Sequence, residues 1–550
     1  MKTISIITLF LLNIQTVFSQ NFWPAQIKLS CYEDEFILAI DSKKNVYLIF
    51  QKTRDIDTGM VKIDTFSFPS DYNYLVKYDS TGKVQWAKKL NRYVFTQNLV
   101  GESSKNLLVD KEDNILVCFN FIQPFLLDTF SIRSKGQNDI MLAKFNTDGN
   151  LLWYQQIGTN KNENLYGMAM DDSGNIAISG MFSGTVKFDT MSLVCQGTYD
   201  AFVAQFNKNR QCIWAKRMGG NNNTTYIANG GLSYSNTEVS ASLSFDNQNN
   251  LYFILRPCTL CAGIAIDTFQ LPPDQNYFIK IDTTGTIIWI KELKRRTGTN
   301  TYSDPYFDLI LANKENFFCQ GVTYKDIVYV GNVELVFTGM PWDSRRITAT
   351  FDSNMVDVLW AKSTIPFGFD CCVPDRFEFD KTGGFYCNNW DNSIEHYDAN
   401  GNLIRKLNFS QDSIPAVNCF AVAGNDSLFL GGLFRGSFTY NNKTLMSTDN
   451  SYDAFVLFYT PTLTGLDSPP SLNSQLSIFN CYPNPSNSIF NISAPQTTQH
   501  LEIQVINLTG TIVYKNNTEG NKTTIDLSKL PQGIYNIMVN NISQRLVIQR

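Results

Sequence analysis

Two histidines, His396 and His500, are all that the 550 residues contain. That excludes multi-histidine metal sites and leaves a Ser-His-Asp or Cys-His mechanism almost no imidazole to work with. Charge is also sparse, at 17% Asp, Glu, Lys and Arg with a net charge of -5. The basic footprint of a nucleic-acid-binding protein is missing, and so is a polybasic membrane patch. After the N-terminus no uninterrupted apolar run reaches the roughly 18 residues that a spanning helix needs. What is abundant is apolar and aromatic: 43% of residues are hydrophobic, with Phe 40 and Tyr 25. Such a chain is not disordered, and it is long enough to bury a large core.

The N-terminus carries Lys2, an apolar run from Ile4 to Leu12, and then polar Asn13 and Gln15. Val17 and Ser19 suit the small-residue pockets of a signal peptidase, so residues 1–19 read as a signal peptide cleaved before Gln20. The apolar run is too short to cross a bilayer as a permanent anchor. Twelve cysteines could form disulfides in an exported chain. Cys118, Cys212 and Cys387, however, occupy strand positions where a thiol serves as a small hydrophobe. Cys258 and Cys261 form a lone C-x-x-C without a second pair, so a local disulfide or two packed thiols is expected rather than zinc.

One element recurs along the chain: an apolar i, i+2 pair, usually an Asp, and a polar turn before the next apolar run. It appears at Leu38/Ile40-Asp41, Leu107/Val109-Asp110, Met168/Met170-Asp171, Leu243/Phe245-Asp246, Leu309/Leu311-Ala312, Phe377/Phe379-Asp380 and Phe420/Val422-Ala423. A second element is a hairpin ending in Trp86, Trp153, Trp214, Trp289 or Trp360, with Arg405 in the tryptophan place of the sixth copy. Apolar alternation around Asp, Asn and Gly marks strand-turn-strand structure, so each repeat holds four strands. The tryptophans read as rings that staple neighbouring sheets. Most repeats also carry an insert, such as Ile63–Phe68, Leu127–Ile132, Phe188–Leu193 or Ile266–Leu271, which decorates the four-stranded unit.

The last repeat stops near Pro461 without a tryptophan strand. A strand without a repeat lies at Phe22–Ser30, where Trp23 precedes Ile40 by the same 17 residues that separate Trp153 from Met170. A strand left over at one end and missing at the other predicts a ring, because closure removes both sheet edges. The expected fold is therefore all-β: a seven-bladed β-propeller over residues 20–460 closed by its N-terminal strand, with an open solenoid as the alternative.

These repeats resemble secreted bacterial propeller repeats, best in GMFSGTVKFDTMSL (Gly180–Leu193), DAFVAQF (Asp200–Phe206) and WAKRMGG (Trp214–Gly220). The Asp box of sialidases and the strand-ending Trp-Asp of Trp-Asp-repeat propellers are missing. Residues 461–475 read as a linker. Short alternating strands from 476 to 550 then predict a small β-sandwich. This tail resembles the C-terminal sorting domain of type IX secretion cargo, on Tyr482-Pro483-Asn484-Pro485, Ile506–Gly510, Asp526–Val539 with Gly533 and Tyr535, and the terminal RLVIQR. The resemblance implies the type IX machinery as a partner, passage through the periplasm, and a product secreted or held on the outer surface.

Function is open at this level between a non-enzymatic binding or structural propeller and a polysaccharide hydrolase or lyase using channel carboxylates. The repeat aspartates follow strands and read as turn caps, and the segments at Asn146–Asn150 and Asp171–Asn175 read as hairpin turns rather than calcium loops. No catalytic residue, metal or cofactor is expected, and the propeller is expected to be a monomer. A ligand, glycan or protein, is expected on the long connections between repeats, which carry Tyr93, Phe95, Tyr226, Tyr234, Tyr302 and Tyr306 among small polar residues.

Overall fold

A computed structural model describes residues 24–28, 34–52, 60–69, 72–92, 106–220, 226–228, 231–233, 237–257, 264–272, 277–292, 306–312, 316–323, 327–330, 333–336, 345–352, 358–364, 377–380, 384–389, 392–398, 402–409, 414–424, 427–440, 443–447, 452–460, 480–482, 486–493, 500–507, 512–539 and 542–549. Every regular element among them is a strand. The chain divides into two compact units, Met1–Pro461 and Thr462–Arg550.

The N-terminal unit repeats a sheet of four antiparallel strands that follow one another in sequence, a β-propeller-like arrangement. The first sheet holds Asp34–Ile40, Val46–Lys52, Tyr72–Tyr78 and Val84–Arg92. The second holds Leu107–Val109, Ile115–Phe121, Asp139–Phe145 and Leu151–Ile157. The third holds Glu163–Met170, Ile176–Phe182, Asp200–Phe206 and Cys212–Gly219. The fourth runs through Thr237–Phe245, Leu251–Pro257, Tyr277–Ile281 and Ile287–Glu292, and the fifth through Tyr306–Ala312, Asn316–Thr323, Arg345–Asp352 and Val358–Thr364. The sixth comprises Phe377–Phe379, Phe385–Asn389, Ser393–Tyr397 and Leu403–Asn408. The last takes Val417–Gly424, Ser427–Arg435 and Tyr452–Tyr459 from the end of the unit, and Pro24–Lys28 pairs beside Tyr452–Tyr459. Phe22 and Trp23 lie outside the described residues.

Within a repeat, strands one and two and strands three and four are joined by tight turns. In the first four repeats, the fourth residue of each turn donates its N–H to the first residue's carbonyl, as Lys44 does to Asp41 and Gly149 to Asn146. That fourth residue has a positive φ, and Gly82, Gly149 and Gly285 supply it without a Cβ penalty in the second turn. The turn's first side chain caps the N–H groups two and four residues on, as Asp79 and Asn146 do.

Trp86, Trp153 and Trp214 staple neighbouring sheets. Trp86 donates from Nε1 to the Thr147 carbonyl in the next repeat's second turn (3.1 Å), and a Cβ added to Gly149 would lie 2.9 Å from the Trp86 ring. Trp214 covers Gly285 in the same way, at 2.6 Å. Arg210 holds the equivalent turn position in the third repeat and places its guanidinium 5.6 Å from the Trp153 ring centre. Further along, Phe278 meets Phe351 and Phe318 meets Phe385, with centroids 5.7 and 4.8 Å apart. Tyr386 and Ile394 share a core with Phe420 and Leu430, and Leu38 and Val76 share one with Ala421, Val456 and Ile27.

The inserts go beyond decoration. Each described one is a hairpin, and those built on Asp-Thr turn at Asp64, Asp128, Asp189 and Asp267, all with φ between 50° and 56°. Four of the hairpins lie against the fourth strand of the preceding repeat instead of extending their own sheet, whereas Val333–Val336 packs against Val358–Thr364 of its own repeat. Ile266 pairs with Met218, and Ile63 pairs with Ile27. Lys88 and Lys216, two residues after their tryptophans, form ion pairs with Asp128 and Asp267 of the next hairpin. Ile63, Leu127, Phe188 and Ile266 are buried beneath these hairpins, which cover outer strands that would otherwise be open edges.

The C-terminal unit stacks a three-stranded sheet (Asn480–Tyr482, Ile489–Ser493, Lys522–Asp526) on a four-stranded one (Ile512–Glu519, His500–Ile506, Gly533–Val539, Ile542–Ile548). Cys481, Phe490, Ile492 and Ile525 of the first face Leu501, Ile503, Val505, Ile537 and Leu546 of the second, the β-sandwich expected from the alternation.

Candidate functional site

The repeat aspartates are the most numerous candidate acids, and the fold occupies them. Asp41 Oδ1 accepts the N–H groups of Lys43 and Asn45, while Oδ2 accepts from the Asn45 amide and the Tyr47 hydroxyl. Asp110, Asp171 and Asp246 repeat the backbone caps. The third strand adds a cation: Lys144 Nζ lies 2.6 Å from Asp110 and Lys280 Nζ lies 3.1 Å from Asp246. Burial alone would raise both carboxyls, but the lysine and asparagine hydrogen bonds outweigh it and hold them below the ordinary aspartate value. His396 occupies this lysine position in the sixth repeat. Its Nε2 lies 2.7 Å from Asp380 Oδ2, and its ring stacks on Tyr386 at 3.9 Å. The His–Asp pair thus follows the repeat, as a structural pair does.

At the opposite end of the sheets the sequence reading missed a second recurring pair. Asp139 and Asp200 open their third strands, Asp453 is second in its own, and all three are almost wholly buried. Gln156, Arg217 and Gln26 donate to them at 2.6, 2.8 and 2.7 Å. The donor always stands three residues after a tryptophan, Trp153, Trp214 or Trp23, and that offset was the available signal. Nearby, Glu163 carries no exposed surface, and burial first, then the Asp139 charge, pushes its carboxyl up. Thr159 donates to it from both its N–H and its hydroxyl, at 2.8 and 2.7 Å. Those bonds tie down the connection between the second and third sheets.

Aromatic ligand contacts were expected on the longer connections that follow Trp86, Trp214 and Trp289. Tyr226 lies in a small hairpin, Tyr226–Ala228 with Gly231–Ser233, opposite Ser233. Tyr306 opens the first strand of the fifth sheet opposite Val322. Tyr93, Phe95, Tyr234 and Tyr302 lie outside the described residues. So do Cys258 and Cys261. Asn146–Asn150 and Asp171–Asn175 are tight turns. Among the described residues no group of three or more His, Cys, Asp or Glu could hold a metal ion, and no helix is long and apolar enough to cross a membrane.

Cys118, Cys212 and Cys481 are free thiols in buried positions, Cys195 is a half-buried one, and Cys319, Cys387 and Cys419 are buried. Burial pushes the Cys212 thiol up to about 12 and Cys481 up to about 11, which removes nucleophilic thiolate near neutral pH.

In the C-terminal unit, the segment from Asp526 to Tyr535 is a fixed corner. Asp526 caps the Ser528 N–H at 2.8 Å, and the buried Tyr535 donates its hydroxyl to the Pro531 carbonyl at 2.8 Å. Gly533 begins the strand between them. Tyr482 ends its strand opposite Asn491, and Ser486 bridges Ile548 in the final strand. Pro483, Asn484, Pro485 and Gly510 lie outside the described residues.

Residues 480–549 match the family described as a secretion system C-terminal sorting domain. No curated protein matches the chain. Two solved structures similar to it are BamB from Moraxella catarrhalis and PorZ from Porphyromonas gingivalis. BamB is 12% identical, with 78% of this chain and 99% of that chain covered at a TM-score of 0.30. PorZ, described as an essential bacterial surface component of the type IX secretion system, is 12% identical, with 94% and 87% covered at a TM-score of 0.20. Scores this low leave the sheet arrangement to be read from the strand pairing itself. The C-terminal unit is a type IX sorting domain, and the protein is exported through the periplasm and across the outer membrane, to the cell surface or beyond.

Proposed function

We propose that this exported chain carries a seven-bladed β-propeller that works outside the cell as a non-enzymatic binding or structural module, after entering the periplasm on residues 1–19. The blades are the four-stranded sheets, with Pro24–Lys28 as the outer strand of the last. Its register supports this: Ala454 pairs with Ile27, four residues after Trp23, as Ala201 pairs with Met218, four after Trp214. Arg405 gains a reason as well. Each stapling tryptophan covers the second turn of the next repeat, and a last blade completed by the N-terminus has no such turn for the sixth repeat to cover.

The observation that carries the non-catalytic reading is the use of the repeat carboxylates. Asp41, Asp110, Asp246 and Asp380 are spent on turn caps and strand pairs, and Asp139, Asp200 and Asp453 on donors from the fourth strand. A ligand, glycan or protein, would then meet the end where the long connections emerge. The test is a glycan array and pull-down with the secreted protein beside polysaccharide hydrolase and lyase assays. Saturable binding without cleavage is expected, and turnover of any polysaccharide would overturn the reading.

A further inference from the structure

The third repeat keeps its turn aspartate but lacks the groups that answer that aspartate elsewhere. Strand pairing sets Tyr47, Lys77 and Trp86 in one row across the first sheet, Leu116, Lys144 and Trp153 across the second, and Tyr252, Lys280 and Trp289 across the fourth. Tyr47 and Tyr252 donate their hydroxyls to Oδ2 of Asp41 and Asp246 at 3.0 and 3.3 Å, and the Lys144 and Lys280 ammonium groups reach Oδ2 of Asp110 and Asp246. In the sixth sheet His396 takes the lysine place beside Asp380. Where Ala312 and Ala423 replace the aspartate, Thr350 and Phe458 replace the lysine. Aspartate and cation are thus kept or lost together, except in the third sheet. There the row reads Ala177, Gln205 and Trp214, and Asp171 remains.

The groups left behind are buried. Asp171 is 6% exposed; its Oδ1 caps the Ser173 and Asn175 N–H groups, and among the described residues its Oδ2 accepts only from the Asn175 amide, at 2.7 Å. Gln205 is 1% exposed, and neither its Oε1 nor its Nε2 has a hydrogen-bond partner. The Trp214 Nε1 is buried without a partner too, whereas that of Trp86 donates to the Thr147 carbonyl. A buried carboxylate without a cation beside a buried amide without partners is a costly arrangement for a chain to keep. A glutamine head also stops one bond short of where a lysine ammonium stands.

We propose that the third sheet binds a monovalent cation of the size of potassium or ammonium between Asp171 Oδ2 and Gln205 Oε1, in the place that a lysine ammonium takes in the second and fourth sheets. A single positive charge balances the one carboxylate, and an all-oxygen pair of ligands suits a hard ion rather than a thiophilic metal. The Trp214 N–H and the Gln205 amide N–H are left to hold a water of the ion's shell. The inference stands apart from the ring closure, the ligand face and the absence of catalysis.

The probe is potassium chloride, exchanged at constant ionic strength for tetramethylammonium chloride, whose cation is too large for the site. Thermal unfolding of the secreted protein should show a saturable rise in midpoint of about 2 °C with potassium. Gln205→Lys supplies the charge from the chain itself, so its midpoint should be independent of potassium and match that of the potassium-saturated parent. Asp171→Asn is the second variant, which keeps the turn cap, since Asn146 and Asn207 cap equivalent turns. It removes the charge and should flatten the potassium dependence as well. Equal midpoints of the parent in the two salts would mean that water alone bridges Asp171 and Gln205, and would overturn the proposal. A potassium dependence that survives in either variant overturns it too, because the ion would then bind elsewhere.

Discussion

Gln26 donates from Nε2 to Asp453 Oδ2 at 2.7 Å, joining residues 427 positions apart. Arg217 and Asp200 make the same contact only 17 positions apart, as do Gln156 and Asp139. Because Asp453 is fully buried, Gln26→Ala leaves its carboxylate without that donor, and a loss of about 2 kcal/mol in thermal or urea unfolding is expected. Gln26→Arg should be tolerated, since the third repeat already uses arginine there. Equal damage from both changes would contradict the equivalence of Pro24–Lys28 with the other fourth strands.

Glycine at the stapled turns answers two demands. Gly285 has φ +87° and lies under Trp214, whereas Gly174 has φ +81° with its nearest neighbour, Lys208 Cβ, 3.7 Å away. Gly174→Ala should cost about 1 kcal/mol, from backbone strain alone. Gly285→Ala should cost about 2–3 kcal/mol, because the ring must also move. Unfolding midpoints of the two variants measure the difference, and identical midpoints would mean that Trp214 does not staple the sheets.

Asp110 and Asp246 have carboxyls held below their unfolded value, so their stabilisation is full above about pH 4 and fades as pH falls below it. Lys144→Met should lower stability at pH 7 by about 2–3 kcal/mol and flatten the acid limb of the stability profile. His396→Lys, which restores the repeat's own residue beside Asp380, should be close to neutral at pH 7. Denaturation followed from pH 2 to 8 tests all three statements.

Removing residues 476–550 should leave a folded propeller trapped in the periplasm, since the sorting domain occupies 480–549. Cell fractionation with immunoblotting decides it; normal extracellular levels of the truncated chain would refute the claim. Mass spectrometry of the secreted full-length form should find the C-terminal peptides missing.

The sequence by itself determined the repeat: apolar alternation fixes which residues form strands, and Asp, Asn and Gly at constant offsets fix the turns, because both are local preferences of the backbone. It also marked the tail, whose Tyr482, Asp526 and Tyr535 stand at recognisable spacing. What it left undecided is where side chains meet across repeats. That Ile266–Leu271 serves the third sheet as well as its own repeat, that His396 stands in for a lysine, and that Gln26 answers Asp453 are set by pairing between distant segments. A strand's pattern says which face is buried but not which edge it will meet, and only the tertiary structure chooses the neighbour.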